Sequence, residues 1–220
     1  MKAGNHSYTS LSDLPESVPL FPLTGALLLP AGNMPLNVFE PRYLAMIDDS
    51  MRTHQMIGMI QPRFDLDPPA DEAEDPPLCD VGCLGRITAF QESGDGRLMV
   101  NLAGVSRFRL MDEQTMKNGY RVAKVAGFAE DLADSQEAAR AVDRDGLLET
   151  FKAFLEANDM QADWEGVSEA SNETLVNTLS MLSPYGPAEK QALLEAPDLK
   201  TRAETLVAMT EIALARESSE

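Results

Sequence analysis

The chain reads as an α+β protein in which short strands come first and helices follow. Three observations predict this. Between Val18 and Phe128 the apolar residues fall in short runs, most of them bounded by proline or glycine, as strands usually are. From Leu132 onward the apolar spacing becomes helical, at i, i+3 and i+7. The 220 residues, 44% of them hydrophobic, suffice for a core that needs no disulfide or metal to hold it.

Residues 1–15 contain no apolar run and read as a flexible N-terminus. Strand candidates follow at 18–20, 26–29, 34–39 and 56–60. Between the last two, a helix is predicted from Pro41 to about residue 53. Proline suits a first turn, where the missing amide has no partner to lose, and Leu44, Ile47 and Met51 share one face. Residues 62–80 carry five prolines and seven acids, the acids all between Asp65 and Asp80 with no base among them, so they read as an exposed acidic loop. From Val81 the strands resume. VGCLGRITAFQE and RLMVNLAGV flank Ser93-Gly94-Asp95-Gly96, a hairpin signal. Two further runs, 107–111 and 120–128, are joined by a polar turn holding Asn118-Gly119. About eight short strands over residues 16–128 favour a barrel or closed sandwich, because a sheet of that size tends to curl.

Residues 129–220 form the helical part. Leu148, Phe151 and Leu155 mark one helix, and Leu175, Leu179 and Leu182 a second. A short helix fits between Pro187 and Ala196. The last carries Leu199, Ala203, Leu206 and Met209 behind Asp198, a natural N-cap.

The net charge of −18 is unevenly placed. Residues 129–220 hold 20 acids against 7 bases, whereas residues 1–128 hold 16 against 11. Such a field repels polyanions, so nucleic acid and anionic membranes are poor partners. The opening residues carry one lysine and no apolar stretch, unlike a signal peptide, and no apolar run approaches the roughly 20 residues that span a bilayer. Two cysteines fit a reducing compartment. Together these predict a cytoplasmic, soluble protein.

The segment LFPLTGALLLPAGNMPLNVFEPRY, from Leu20 to Tyr43, resembles the start of the Lon N-terminal (LON substrate-binding) domain family in its stand-alone bacterial form. The similarity continues through Val81-Gly82, Gly85-Arg86-Ile87, Gly96, Leu98-Met99-Val100, Gly104 and Arg107-Phe108. It reaches Glu189-Lys190-Gln191, Leu194-Glu195 and Arg202, so it spans residues 16–212. The resemblance implies a PUA-like β-barrel followed by a C-terminal α-helical bundle. It also implies a non-catalytic module that recognises unfolded or specific protein segments in protein quality control. The ATPase and Ser–Lys peptidase of the full protease have no counterpart: no glycine precedes a lysine, so no phosphate-binding loop can be drawn.

No residue pattern points to catalysis, a metal or a cofactor. Cys79 and Cys83 lie about 13 Å apart if extended, beyond disulfide reach, and only His6 and His54 could complete a zinc set. Small buried side chains are the better reading for both cysteines. A Cys83–His54 pair lacks any activating context, which leaves a hydrolase with an unrecognised site as one alternative. PUA-like RNA binding is the other. Arg86, Arg97, Arg107, Arg109, Arg121 and Lys124 lie on predicted strands, but solvated strand faces look the same. Within Phe39-Glu40-Pro41-Arg42-Tyr43, Pro41 starts the helix while Phe39 and Tyr43 can pack it down. The functional reading makes Phe39, Arg42 and Tyr43 the flank of a peptide groove, with Arg86 from the family match joining them.

Overall fold

The computed structural model describes residues 1–64, 76–115, 118–133, 139–161 and 163–217. Its main sheet is built from β3 (Ser17–Pro22), β4 (Asn33–Val38), β5 (Met56–Ile60), β6 (Val81–Glu92), β7 (Leu98–Thr115) and β8 (Arg121–Gly127), in the spatial order β4-β7-β6-β5-β3-β8. A two-residue hairpin, β1 (Lys2–Ala3) with β2 (His6–Ser7), precedes it. Neighbours in the main sheet run antiparallel except β3 and β5, which are parallel, with α1 (Pro41–Met51) in the connection between them. β7 is long enough to serve two partners on one side. Its first half pairs with β4 and its second half with β8, while β6 occupies the other side.

Register shifts at Leu84/Gly85, Ile87/Ala89 and Leu110/Asp112 let these long strands bend, so the sheet curls. Val18, Leu20, Met56, Leu84, Phe108 and Ala123 form one apolar cluster, and every one of them is fully buried. A second cluster joins α1 and the strands to the helices that follow. Those helices are α2 (Arg144–Ala157), α3 (Trp164–Glu169), α4 (Asn172–Leu182), α5 (Pro187–Glu195) and α6 (Leu199–Glu217). α2, α4 and α5 all pack on α6. Leu28, Val81 and Cys83 from the strand region share this cluster with Leu147, Val176 and Leu206, so apolar packing continues across the boundary expected at 128/129.

Several sequence expectations change. Residues 1–15 are not a loose end: Tyr8 and Ala3 are buried against the sheet, and Arg86 donates a hydrogen bond to the Tyr8 hydroxyl. Residues 26–29 are buried but form no strand. Leu27, Leu28 and Leu29 are all enclosed, and nearby backbone pairs are turns or bonds to the residue 104 backbone (Ala31 N–H to Gly104 O, Gly104 N–H to Gly32 O). The runs at 98–105 and 107–111 are one strand rather than two. The buried stripe of α2 is Leu147, Phe151 and Phe154, one position from the expected Leu148 and Leu155. Leu182, expected inside, is 77% exposed, because α4 turns Leu175, Val176 and Ser180 inward. Residues 65–75 of the expected acidic loop lie outside the described residues.

Candidate functional site

Polar side chains stitch the sheet to the helices. Arg107 and Asp131 form a buried ion pair with side chains only 4% and 8% exposed. The Arg107 fork donates through Nε to Oδ2 at 2.9 Å and through Nη2 to Oδ1 at 2.8 Å. Its Nη1 reaches the carbonyls of Leu194 and Ala196 at the end of α5. Arg202 of α6 donates to Leu193 O and to Asn177 Oδ1, and Asn177 in turn donates to Pro30 O. Burial pushes the Arg202 guanidinium down to about 10, with the positive charge of Arg107 adding to the fall. A second chain runs through amides. Gln61 accepts from Gly25 N–H and donates to Pro187 O and Gln191 Oε1, while Gln191 donates to Val81 O. Lys190 donates to Ser180 O and Met181 O in the last turn of α4, where a cation suits the helix dipole. Burial lowers its pKa.

Sequence reasoning placed Arg107 on a solvated strand face and missed this network. A signal was present: Arg107, Lys190, Gln191 and Arg202 all belong to the motifs that carried the family resemblance. Four polar residues spaced through an otherwise apolar pattern are what a buried junction requires.

Above this junction lies an open cleft of about 530 Å³. Phe64, Val81 and Phe128 supply its apolar surface, and Arg109, Gln191 and Glu195 its polar surface. The Arg109 guanidinium stands 6.0 Å from the centre of the Phe128 ring. A second cleft, about 560 Å³, is lined by Asn5, Met51, Gln55, Arg86, Ile87 and Phe90 among others.

The four residues expected at a peptide groove do not converge. Phe39 is 60% exposed, with the Arg97 guanidinium 5.7 Å from its ring centre. Arg42 pairs with Glu40 at 2.9 Å and covers the Tyr43 ring. Tyr43 itself is buried and stacked on Phe21 at 4.4 Å, so it packs α1 down and forms no groove wall. Arg86 sits in the second cleft and bonds to Tyr8, His54, Asn5 and Gln55, none of them near the Phe39 group in sequence. The edge strand β4 carries Pro35, and proline on an edge discourages addition of a further strand.

Cys79 and Cys83 are both buried, and neither forms a disulfide. Burial, with the Asp131 charge adding, pushes the Cys83 thiol far above its ordinary range, so it holds its proton and packs as a small apolar group. His54 is half-buried, and its Nδ1 accepts the Met56 N–H at 3.2 Å, which requires a neutral nitrogen. Burial lowers its pKa below the ordinary 6.5. The unfolded chain therefore binds the proton more readily, and the His54 contribution to stability is complete above pH 6.5 and shrinks as pH falls through that value. Melting temperatures measured from pH 7.5 to 5.5 should fall at the acidic end, and His54→Gln should flatten that fall.

Among the described residues no helix is long and apolar enough to cross a membrane. Comparison with known proteins gives a consistent result. Residues 17–211 match the ATP-dependent protease La (LON) substrate-binding domain. Lon protease 2 of Myxococcus xanthus is 26% identical over 200 residues, covering 86% of this chain and 23% of that protein. Lon protease 2 of Sorangium cellulosum is 28% identical over 201 residues, covering 88% and 24%. The chain thus spans about a quarter of the length of the curated relatives it matches. Among solved structures, a Lon N-terminal domain protein from Xanthomonas campestris superposes with a TM-score of 0.56 at 26% identity, covering 87% of this chain and 97% of that one. The N-terminal domain of Mycobacterium avium complex Lon protease shares the fold, with a TM-score of 0.65 at 18% identity and coverage of 89% and 98%. By sequence and by fold, the chain belongs to the LON substrate-binding domain family.

Proposed function

We propose that this protein is a non-catalytic module that binds unfolded or specific protein segments, as the substrate-binding domain of Lon does, in cytoplasmic protein quality control. In this reading the curled sheet is a PUA-like barrel and α2–α6 its C-terminal bundle. The observation that carries the proposal is a repeated surface composition. Phe39 lies under Arg97, Phe128 under Arg109, and Phe90 shares a cleft with Arg86. Aromatics beside arginines, exposed at Phe39 and Phe90 and half-buried at Phe128, are the composition of protein-binding hot spots, because a flat ring and a planar cation bury large area at low entropic cost. The ligand engages these patches by side-chain contact rather than by strand addition at β4, since Pro35 guards that edge. Of the four residues the sequence suggested, Phe39, Arg42 and Arg86 remain candidate contacts, and Tyr43 supports them from the core.

A titration of a fluorescently labelled, permanently unfolded protein tests this. Saturable binding is expected, and the bound chain should be recovered uncut. Phe39→Ala, at an exposed position, should weaken binding several-fold while leaving the melting temperature within a few degrees, whereas Phe128→Ala should weaken binding and also lower the melting temperature, because its ring is half-buried beneath Arg107. Cleavage of the bound chain, abolished by one point substitution, would replace the proposal with an enzyme. Binding of RNA with a steep salt dependence would replace it with a nucleic-acid module.

A further inference from the structure

The outer half of β6 presents a strand edge that nothing guards. Ser93 N–H bonds to Arg97 O, so residues 93 and 97 are a hydrogen-bonded pair of the β6–β7 hairpin. Bonded and non-bonded pairs alternate along an antiparallel ladder, so 91 with 99 and 89 with 101 are bonded too. Phe90 and Glu92 therefore turn their main-chain N–H and C=O groups away from β7. On that side the pairing with β5 ends at Arg86, and one further bond joins Ile87 N–H to Gln55 O. Beyond it, residues 88–92 are all exposed, and no described residue bonds to the outward groups of Phe90 and Glu92. The edge of β4 differs. Gly104 N–H bonds to Gly32 O, and the same alternation turns Asn33, Pro35 and Asn37 outward, with a proline at the centre. Between Thr88 and Glu92 there is no proline, lysine or arginine to discourage a further strand.

The side chains show what such a strand would complete. Residues directly opposite share a face, so Leu36 of β4, Val100 of β7 and Phe90 of β6 form one apolar row across three strands. Leu36 and Val100 are buried, whereas Phe90 is 54% exposed. The row stops where a fourth strand would place its next member. That place borders the cleft of about 560 Å³ whose lining includes Ile87, Thr88, Ala89 and Phe90 of the edge itself and Met51 from the end of α1. The neighbouring row, Val38, Leu98 and Glu92, ends on an exposed carboxylate.

We infer that an extended segment of unfolded polypeptide adds to the open edge of β6 as an antiparallel strand, with an apolar side chain beside Phe90 and a basic one beside Glu92. Main-chain N–H and C=O groups at strand spacing are continued by another polypeptide backbone, a ladder that nucleic acid and lipid do not supply. Antiparallel pairing matches both existing neighbours of β6 and puts the basic residue two positions before the apolar one. A second copy of this chain is a poor occupant, because each copy carries a net charge of −18. The inference rests on the proposed polypeptide binding and adds main-chain pairing to its side-chain contacts.

Three peptides of the sequence Thr-Thr-Lys-Thr-Phe-Thr-Thr, labelled at the amino end, test it. One is unmodified, one is N-methylated at the Lys and Phe amides, and one is N-methylated at the two threonines flanking Phe. The Lys and Phe amides face β6, so methylating them should weaken binding at least tenfold, as the loss of two hydrogen bonds would. Methyl groups on the threonine amides lie on the far edge and should leave the affinity within threefold. Glu92→Pro removes one outward N–H while keeping the ladder to β7, so it should melt within a few degrees of wild type. It should bind the unmodified peptide more weakly than Glu92→Ala does. Equal binding of the two methylated peptides by the unaltered protein overturns the inference without recourse to any variant. A dimer in sedimentation that Glu92→Pro separates would also overturn it, because a second copy would then hold the edge. If the methylated peptides bind alike while a long unfolded chain still binds, the strand site falls and the proposed function stands. If neither peptide nor unfolded chain binds, both fall.

Discussion

Replacing Arg107 by alanine is expected to lower the unfolding free energy by about 3–5 kcal/mol, the range for removing one partner of a buried ion pair. The loss comes less from the attraction removed than from what is left behind. Asp131 would keep its carboxylate enclosed, with only the residue 107 backbone N–H, now at 2.7 Å, as the remaining donor from that position. The carbonyls of Leu194 and Ala196 would lose their donor too, and the Phe128 ring would lose the guanidinium that covers it at 4.9 Å. Because the pair joins β7 to the end of α5, the junction cleft should loosen with it. Urea denaturation followed by circular dichroism measures the change. Arg107→Lys keeps the charge without the fork and should fall between wild type and alanine. Arg107→Met with Asp131→Leu should recover much of the loss, since no charge is then stranded. A loss below about 1 kcal/mol for Arg107→Ala would class the pair with exposed ones, contrary to its burial.

Gly104→Ala is expected to cost about 3 kcal/mol or more, at the upper end for overpacking a filled core. A β-carbon built there would lie 2.0 Å from Leu29 O and 2.8 Å from its carbonyl carbon. Both are backbone atoms, so no rotamer change relieves the clash. The strand and the 26–32 segment would have to separate, breaking the bonds between Ala31 and Gly104 and between Gly104 and Gly32. For a chain of this length the melting temperature should drop by roughly 6–12 °C. Amide shifts for residues 27–32 should move with it, which separates local displacement from general destabilisation.

Gly104 also shows how far the sequence could be read. A glycine inside a strand signals close approach of another backbone, but which backbone approaches is a tertiary fact. The expected strand at 26–29 failed for the same reason. Consecutive leucines buried on all sides have no alternation to report, so local pattern cannot separate a strand from a buried irregular segment. Elements defined by punctuation were legible: Pro41 opens α1, Pro187 opens α5, and Asp198 accepts the Thr201 N–H at 2.7 Å ahead of α6. α3 escaped because six residues hold less than two turns, and Arg144, distant in sequence, caps its carbonyls at Val167 and Ser168. At the candidate site, the Arg86 cleft was invisible. Its lining comes from the first hairpin, the end of α1 and β6, which only folding brings together. Arg86 could be singled out by family resemblance, but the open edge of β6 beside it could not be located before the fold was known.

The polypeptide-binding reading is tested most directly by one equilibrium titration in two forms. A single-domain protein is labelled once and presented either natively folded or held unfolded by reduction and alkylation of its cysteines. The full chain should bind the unfolded form saturably, with a dissociation constant in the micromolar range that survives moderate salt, and should leave the folded form unbound. Equal binding of the two forms, or none to either, would contradict it.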